Sequence, residues 1–260
     1  MSNPLITIIT VCRNAEAQLR KTAESVLGQT LAPEQLEYLV VDGASTDGTA
    51  ALLKSLEPRF NGRLRWVSEP DNGIYDAMNK AVKMARGEFV NMLNAGDWHE
   101  PETCERVAAK IFSEPRGTLY YPATRYWRKR GGGLVWHHDE LGAPDFVAQC
   151  EICHQSWFLR RDAHGRAGFY DQKNYCLAAD FDLLCRLFNA RETFIPVPGA
   201  RVNFIPGGLS ETCRPLCQLE AKVIRARHGI REGNALKNFW NRLRLPLLQR
   251  AFRASRKKTV

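Results

Sequence analysis

The chain has 260 residues, of which 44% are hydrophobic and 25% charged; this is enough to bury one large core, or one core plus an appendage, and excludes a disordered or fibrous protein. No run approaches the roughly 20 apolar residues of a bilayer span, and Met1-Ser-Asn-Pro4 lacks the basic-then-apolar order of an export signal, so a cytoplasmic location is expected. The net charge of +9 is local: after residue 221 twelve Lys and Arg stand against Glu232 alone, which leaves the first 221 residues at −2.

From residue 5 onward, short apolar runs alternate with amphipathic ones. Residues 6–11 read as a strand and 15–29 as a helix; 38–41 and 48–56 repeat the pattern, as do 64–67 and 73–85, and 87–93 forms a fourth strand. Repeated βα units predict an α/β fold with a mostly parallel central sheet, flanked by helices on both faces. Right-handed crossovers then gather the loops 12–14, 42–46, 69–72 and 94–97 at one carboxyl edge, where a single ligand can reach all four. Beyond Asp97 the periodicity weakens. A helix over 101–112 precedes two strands, 119–127 and 134–138, joined around Gly131-Gly-Gly133 as a hairpin that flanks the main sheet. Residues 154–159 and 193–197 are short extended pieces on either side of a helix over 176–189.

Cys12, Cys104 and Cys185 fall inside apolar patterns and read as reduced core thiols. Cys150-Glu-Ile-Cys153-His154 has the spacing of a haem-attachment site and, with Cys213 and Cys217, of a zinc set; the expected absence of export and the long separation argue against both.

Several carboxylates sit where chemistry is done. Asp42 ends an apolar strand and opens Gly43-Ala-Ser-Thr-Asp47, positioned either to accept hydrogen bonds from a ligand or only to stabilise its turn, while Asp47 caps the next helix. Asp71-Asn72-Gly73 reads as a turn into a helix. Asp97 follows the strand 87–93 in the turn Asn94-Ala-Gly-Asp97. Asp180 shares a helical stripe with Leu184 and Leu187, which aims it inward or makes it a cap, whereas Asp182 lies off that stripe, solvated or paired with Arg186. His154 is a ligand-pocket residue or a buried, hydrogen-bonded imidazole. Gly207-Gly208-Leu-Ser210 either brings backbone amides close to a phosphate or ends the domain.

Taken together, Tyr38-Leu-Val-Val-Asp-Gly-Ala-Ser-Thr-Asp47, Gly73-Ile-Tyr-Asp-Ala-Met-Asn79, Leu93-Asn-Ala-Gly-Asp97 and Leu177-Ala-Ala-Asp-Phe-Asp-Leu-Leu184 resemble the family 2 glycosyltransferases of the GT-A fold, of the kind that builds bacterial polysaccharides such as colanic acid. The resemblance runs from about residue 5 to 210. It implies a nucleotide-diphosphate sugar held by Thr10, Val11, Asn14, Asp42, Asp71, Gly73, Asn79 and Asn94. It also implies Mn2+ or Mg2+ at Asp97 and a general base at Asp180. His154, Gln155, Gly208 and Ser210 correspond to a sugar or acceptor pocket. The chain departs from the pattern at three places: Met78 replaces a frequent Arg, Ala179 replaces the Glu before the base, and only Asp97 remains of an acidic triplet.

The expected division is a catalytic domain over 1–210 and a basic amphipathic helical extension over 211–260, with Pro246 kinking or breaking the helix. Trp240, Phe239 and Leu residues set among Arg suit an anionic membrane surface, where each basic residue adds about 1 kcal/mol. The alternative is docking on the catalytic domain or on a second subunit in a homo-oligomer. Membrane attachment at the inner face would present a lipid-linked saccharide acceptor. A nucleotidyltransferase would carry a Gly-rich loop after the first strand, and residues 10–16 contain no Gly. A nucleic-acid binder would explain the tail but not the acidic edge, so no nucleic-acid partner is expected. A catalytically silent relative is the remaining alternative.

Overall fold

The computed structural model describes residues 3–131, 133–141, 152–230 and 235–257; Gly132 and Cys150 lie outside them. At its centre is strand β1, Ile6–Cys12, almost wholly buried because both of its faces are covered. Helix α1 (Glu16–Leu27) leads to β2 (Leu36–Asp42), α2 (Thr49–Phe60) to β3 (Leu64–Ser68), and α3 (Ile74–Met84) to β4 (Phe89–Met92). These four strands are parallel in the order β3-β2-β1-β4. Ile9, Leu39, Val90 and Met92 face α3 on one side, while Ile6, Ile8, Tyr38 and Phe89 face α1 and α2 on the other.

The later strands extend the same sheet instead of flanking it. Strand β5 (Trp98–His99) precedes helix α4 (Thr103–Ser113), the hairpin β6 (Leu119–Arg130) and β7 (Gly133–Glu140), β8 (Phe158–Arg160), helix α5 (Arg161–Ala167), helix α6 (Ala179–Asn189) and β9 (Phe194–Phe204). Beyond β4 the order continues β8-β6-β9-β5, with β8 antiparallel to both β4 and β6 and with β6 and β9 parallel. The parallel arrangement expected from the βα units therefore holds for the first half, and the second half is mixed. Strand β9 is longer than the stretch read from sequence because a register shift lets it resume pairing with β6 up to Phe204.

Three helices close the chain: α7 (Leu209–Thr212), α8 (Arg214–Arg227) and α9 (Ala235–Lys257). Helix α8 is tied to the main body, since Ile224 is fully buried in the core beside α6. Its Glu220, also fully buried, accepts the backbone N–H groups of Cys176, Leu177 and Ala178 at 2.8, 2.8 and 2.9 Å. Those amides would otherwise be orphaned at the entrance to α6. Of the kink or break expected at Pro246, the break does not occur, since helix α9 runs through it. The prolyl position is exposed, so water can take up the carbonyl that loses its amide partner. One face of α9 docks on α8 through the buried Leu245, and Gln249 donates to Glu220.

Candidate active site at the carboxyl edge of the sheet

The loops after β1, β2 and β3 are bonded to one another. The Gly43 N–H donates to Cys12 O, the Glu69 N–H to Asp42 O, and Asn14, in the left-handed region at φ 50°, accepts the Thr46 N–H at 2.8 Å. Asp71 closes its turn by accepting the Gly73 N–H at 2.8 Å. A Cβ on Gly43 would stand 2.4 Å from Asp71 Oδ2, so any larger residue there would have to displace the Asp71 carboxylate.

The turn after β4 is locked to α1. The Thr22 hydroxyl donates to Asp97 O at 2.8 Å and accepts the Gly96 N–H, while Asp97 N–H closes onto Asn94 O. The Asp97 side chain is buried and accepts the Ile205 N–H at 2.8 Å through Oδ1. Burial pushes its carboxyl up to about 7, against the opposing effects of that N–H and of Lys21. Lys21 Nζ sits 3.0 Å from the Trp98 ring centroid, and burial lowers its pKa.

Asp180 lies in the first turn of α6. Because Glu220 caps that helix, Asp180 makes no side-chain cap bond and is free for another task. Its Oδ1 accepts the Tyr75 hydroxyl of α3 at 2.8 Å, and His154 Nδ1 stands 3.9 Å from its Oδ2. His154 Nε2 bonds the Tyr170 hydroxyl at 2.9 Å, and the ring packs edge-on against Trp157 and Tyr170. Burial pushes this imidazole below its ordinary range, with Asp180 opposing. The preceding residue, Cys153, feels the charge of Asp97; burial, and that charge after it, hold its thiol at about 12. His154 thus stands beside Asp180 in the turn that Cys153 begins. Asn91 of β4 fixes this turn by donating to Gln155 O and Trp157 O at 2.8 and 2.9 Å.

Other residues expected at the ligand are committed elsewhere. Thr10 is fully buried and donates to Leu93 O at 2.8 Å, and Val11 is part of the core. Asp42 has no exposed surface; it accepts Ser45 N–H at 3.0 Å, the Ser68 hydroxyl at 2.6 Å, and the Ser45 hydroxyl. The amide of Asn79 clasps the Tyr170 backbone, donating to its O at 2.9 Å and accepting its N–H at 3.0 Å. The expectation for the two acids of α6 is inverted: Asp182 is the deeper one, with 3% of its side chain exposed against 28% for Asp180. It pairs with Arg186 at 2.8 Å as expected, and also with His228 at 2.9 Å, which α8 carries onto it. Gln155 is buried, whereas Gly208 and Ser210 are exposed at the start of α7, a few residues beyond the Ile205 contact to Asp97. Asn94 is partly exposed. A cleft of about 530 Å³ beside the Asn79–Tyr170 clasp, lined by Lys80, Lys83, Asp171, Asp182 and Arg227, reaches neither Asp97 nor Asp180.

Among the described residues no group of three or more His, Cys, Asp or Glu side chains could hold a metal ion. The donor set at Asp97 is one buried carboxylate whose Oδ2 makes no hydrogen bond among the described residues, which fits a hard cation whose other ligands are water and substrate oxygens. Tyr75, Lys21 and Tyr170 went unrecognised as site residues in the sequence, although Tyr75 lies within the run 73–79 that carries the resemblance.

The sequence model "Glycosyl transferase family 2" matches residues 7–168. The chain is 33% identical over 246 residues to a "PGL/p-HBAD biosynthesis glycosyltransferase" of Mycobacterium bovis, covering 92% of each. Its fold is similar to that of S. aureus TarS in complex with UDP, with a TM-score of 0.65 and 16% identity over 93% of this chain and 69% of that one. It is similar also to a mannosyltransferase from Pyrobaculum calidifontis in complex with GDP-Man and Mn2+, with a TM-score of 0.67 and 18% identity over 99% of this chain and 76% of the other.

Proposed function

The chain belongs to glycosyl transferase family 2, and from that membership we propose that it moves a sugar from a nucleotide-diphosphate sugar to a hydroxyl of a saccharide acceptor with inversion at the anomeric carbon. The observation that carries this reading is the pair of carboxylates, Asp97 held at one oxygen by the Ile205 N–H at 2.8 Å and Asp180 held at one oxygen by the Tyr75 hydroxyl at 2.8 Å. Asp180 Oδ2 takes the proton of the acceptor hydroxyl as its oxygen attacks the anomeric carbon. The bond from that carbon to the diphosphate oxygen breaks on the opposite face, and its electron pair leaves with the nucleoside diphosphate.

Asp97 would hold the divalent cation, Mn2+ or Mg2+, which would there neutralise charge on the diphosphate. Asn14, Asp71 and Gly73 on the bonded loops, with Asn94 beside Asp97, are the groups offered to the donor. Asp42 braces the second of these loops through Ser45 and Ser68, and Asn79 holds Tyr170 on the Asp180 side. His154 and Gln155 border the acceptor side, and Gly208 and Ser210 complete it near Ile205.

The acceptor in this reading is a lipid-linked saccharide in cell-surface polysaccharide assembly, met at the inner face of a membrane. No helix among the described residues is long and apolar enough to cross a membrane. The support is the free face of α9, where Leu243, Leu247 and Leu248 are 51%, 65% and 40% exposed among Arg242, Arg244 and Arg250. The test is transfer from UDP- and GDP-sugars to a synthetic acceptor, with the product anomer read by NMR. A product of retained configuration, or full activity in Asp180→Asn, would defeat the proposal.

A further inference from the structure

We infer that Tyr75 and His154 are positioning residues that clamp the two oxygens of Asp180; this rests on the reading of Asp180 as the base. The Tyr75 hydroxyl donates to Oδ1 at 2.8 Å, and the Tyr75 ring is itself fixed by stacking on Tyr170 at 5.6 Å between centroids. Burial holds the Tyr75 hydroxyl in its protonated form, so it donates throughout the working pH range.

The protonation of His154 follows from its two neighbours. Tyr170 OH has its hydrogen bond with His154 Nε2. If Nε2 carried the proton, the Tyr170 hydrogen would lack that acceptor and Nδ1 would direct a lone pair at a carboxylate 3.9 Å away. With Tyr170 donating to Nε2, the neutral ring carries its hydrogen on Nδ1, facing Asp180 Oδ2. At 3.9 Å this is a directed dipole and not a hydrogen bond, and it leaves Oδ2 open to the acceptor hydroxyl. One oxygen is thus held by Tyr75, while the other is oriented without being consumed. Asn79 completes the device by clasping the Tyr170 backbone and so fixing the ring that sets the His154 tautomer.

The experiment compares Tyr75→Phe, His154→Asn, His154→Leu and Asp180→Asn in the full-length protein, measuring kcat, the KM for each substrate and nucleoside diphosphate affinity by calorimetry. Phe keeps the stack and deletes only the hydroxyl. Tyr75→Phe is expected to lower kcat by about tenfold or more, the effect of losing a hydrogen bond to a charged group, with nucleotide affinity unchanged. Asn places an N–H close to that of Nδ1, so His154→Asn is expected to retain at least about tenfold more kcat than His154→Leu. Near wild-type kcat in Tyr75→Phe, or equal loss in the two His154 variants, while Asp180→Asn is inactive, would overturn the clamp alone. Activity retained in Asp180→Asn would overturn the base assignment and the clamp with it.

Discussion

Replacing Asp97 with Asn tests whether a buried carboxylate awaits a cation. The Asp97 pKa is pushed up to about 7 from 3.8, roughly three units, and at about 1.4 kcal/mol per unit the linkage is at most about 4 kcal/mol. Water entry and local relaxation bring a realistic figure nearer to about 2 kcal/mol. The sign follows from the direction: the folded state holds this proton more tightly than the unfolded chain does. The contribution to stability is therefore fully present below about pH 4 and is lost as pH rises through about 7. Asn keeps an oxygen for the Ile205 N–H at 2.8 Å and never ionises. Urea denaturation in EDTA at pH 5, 6, 7 and 8 should show the variant gaining on the wild type by about 1 to 3 kcal/mol between pH 5 and pH 8. Parallel curves would refute the burial argument. Adding Mn2+ with UDP or GDP at pH 8, each at about a hundred times its dissociation constant, should return about 2.7 kcal/mol to the wild type and nothing comparable to the variant. Equal stabilisation of both would remove the metal from Asp97.

Glu220→Ala strips three backbone amides of their acceptor, and a loss of about 3 kcal/mol in chemical denaturation is expected; a loss under about 1 kcal/mol would mean that water caps α6 equally well. Gly43→Ala puts a methyl group 2.4 Å from Asp71 Oδ2 and should raise the donor KM about tenfold or more, while an unchanged KM would detach this pair of loops from donor binding. Replacing Leu243 and Leu247 together with Asp should leave stability within about 0.5 kcal/mol, since 51% and 65% of their surface is already in water, yet reduce sedimentation with anionic vesicles; undiminished sedimentation would exclude this face as the membrane contact.

What could be read in advance depended on the range of the interaction that decides it. The strands 6–11 and 38–41 announced themselves because burial on both faces demands apolar runs, and Asp97 and Asp180 because a strand end and a helical stripe are local patterns. The inversion of Asp180 and Asp182 was hidden, since the partner that buries Asp182 is His228, 46 residues further along. The deep commitment of Thr10 was equally hidden, because Leu93 O lies 83 residues away. Which of the two outcomes Pro246 would have was hidden for a different reason: its helical penalty depends on whether the freed carbonyl meets solvent, which one sequence position cannot disclose.

Hydrogen-bonding capacity separates the acids that hold the fold from those offered to a ligand. Asp42, Glu37, Asp182 and Glu220 are all buried, and each is saturated: Asp42 by Ser45 and Ser68, Glu37 by Thr7, Arg65 and the Arg86 N–H, Asp182 by Arg186 and His228, and Glu220 by the start of α6 and Gln249. Asp97 and Asp180 instead each have one oxygen held, by the Ile205 N–H and the Tyr75 hydroxyl, and the other without a hydrogen bond among the described residues. An oxygen without a protein partner can take water or a ligand, so residual capacity, more than burial or position at a strand end, makes these two carboxylates the candidates for chemistry. By the same criterion Asp42, expected from sequence to meet the donor, differs from them in being bonded within the protein by Ser45 and Ser68.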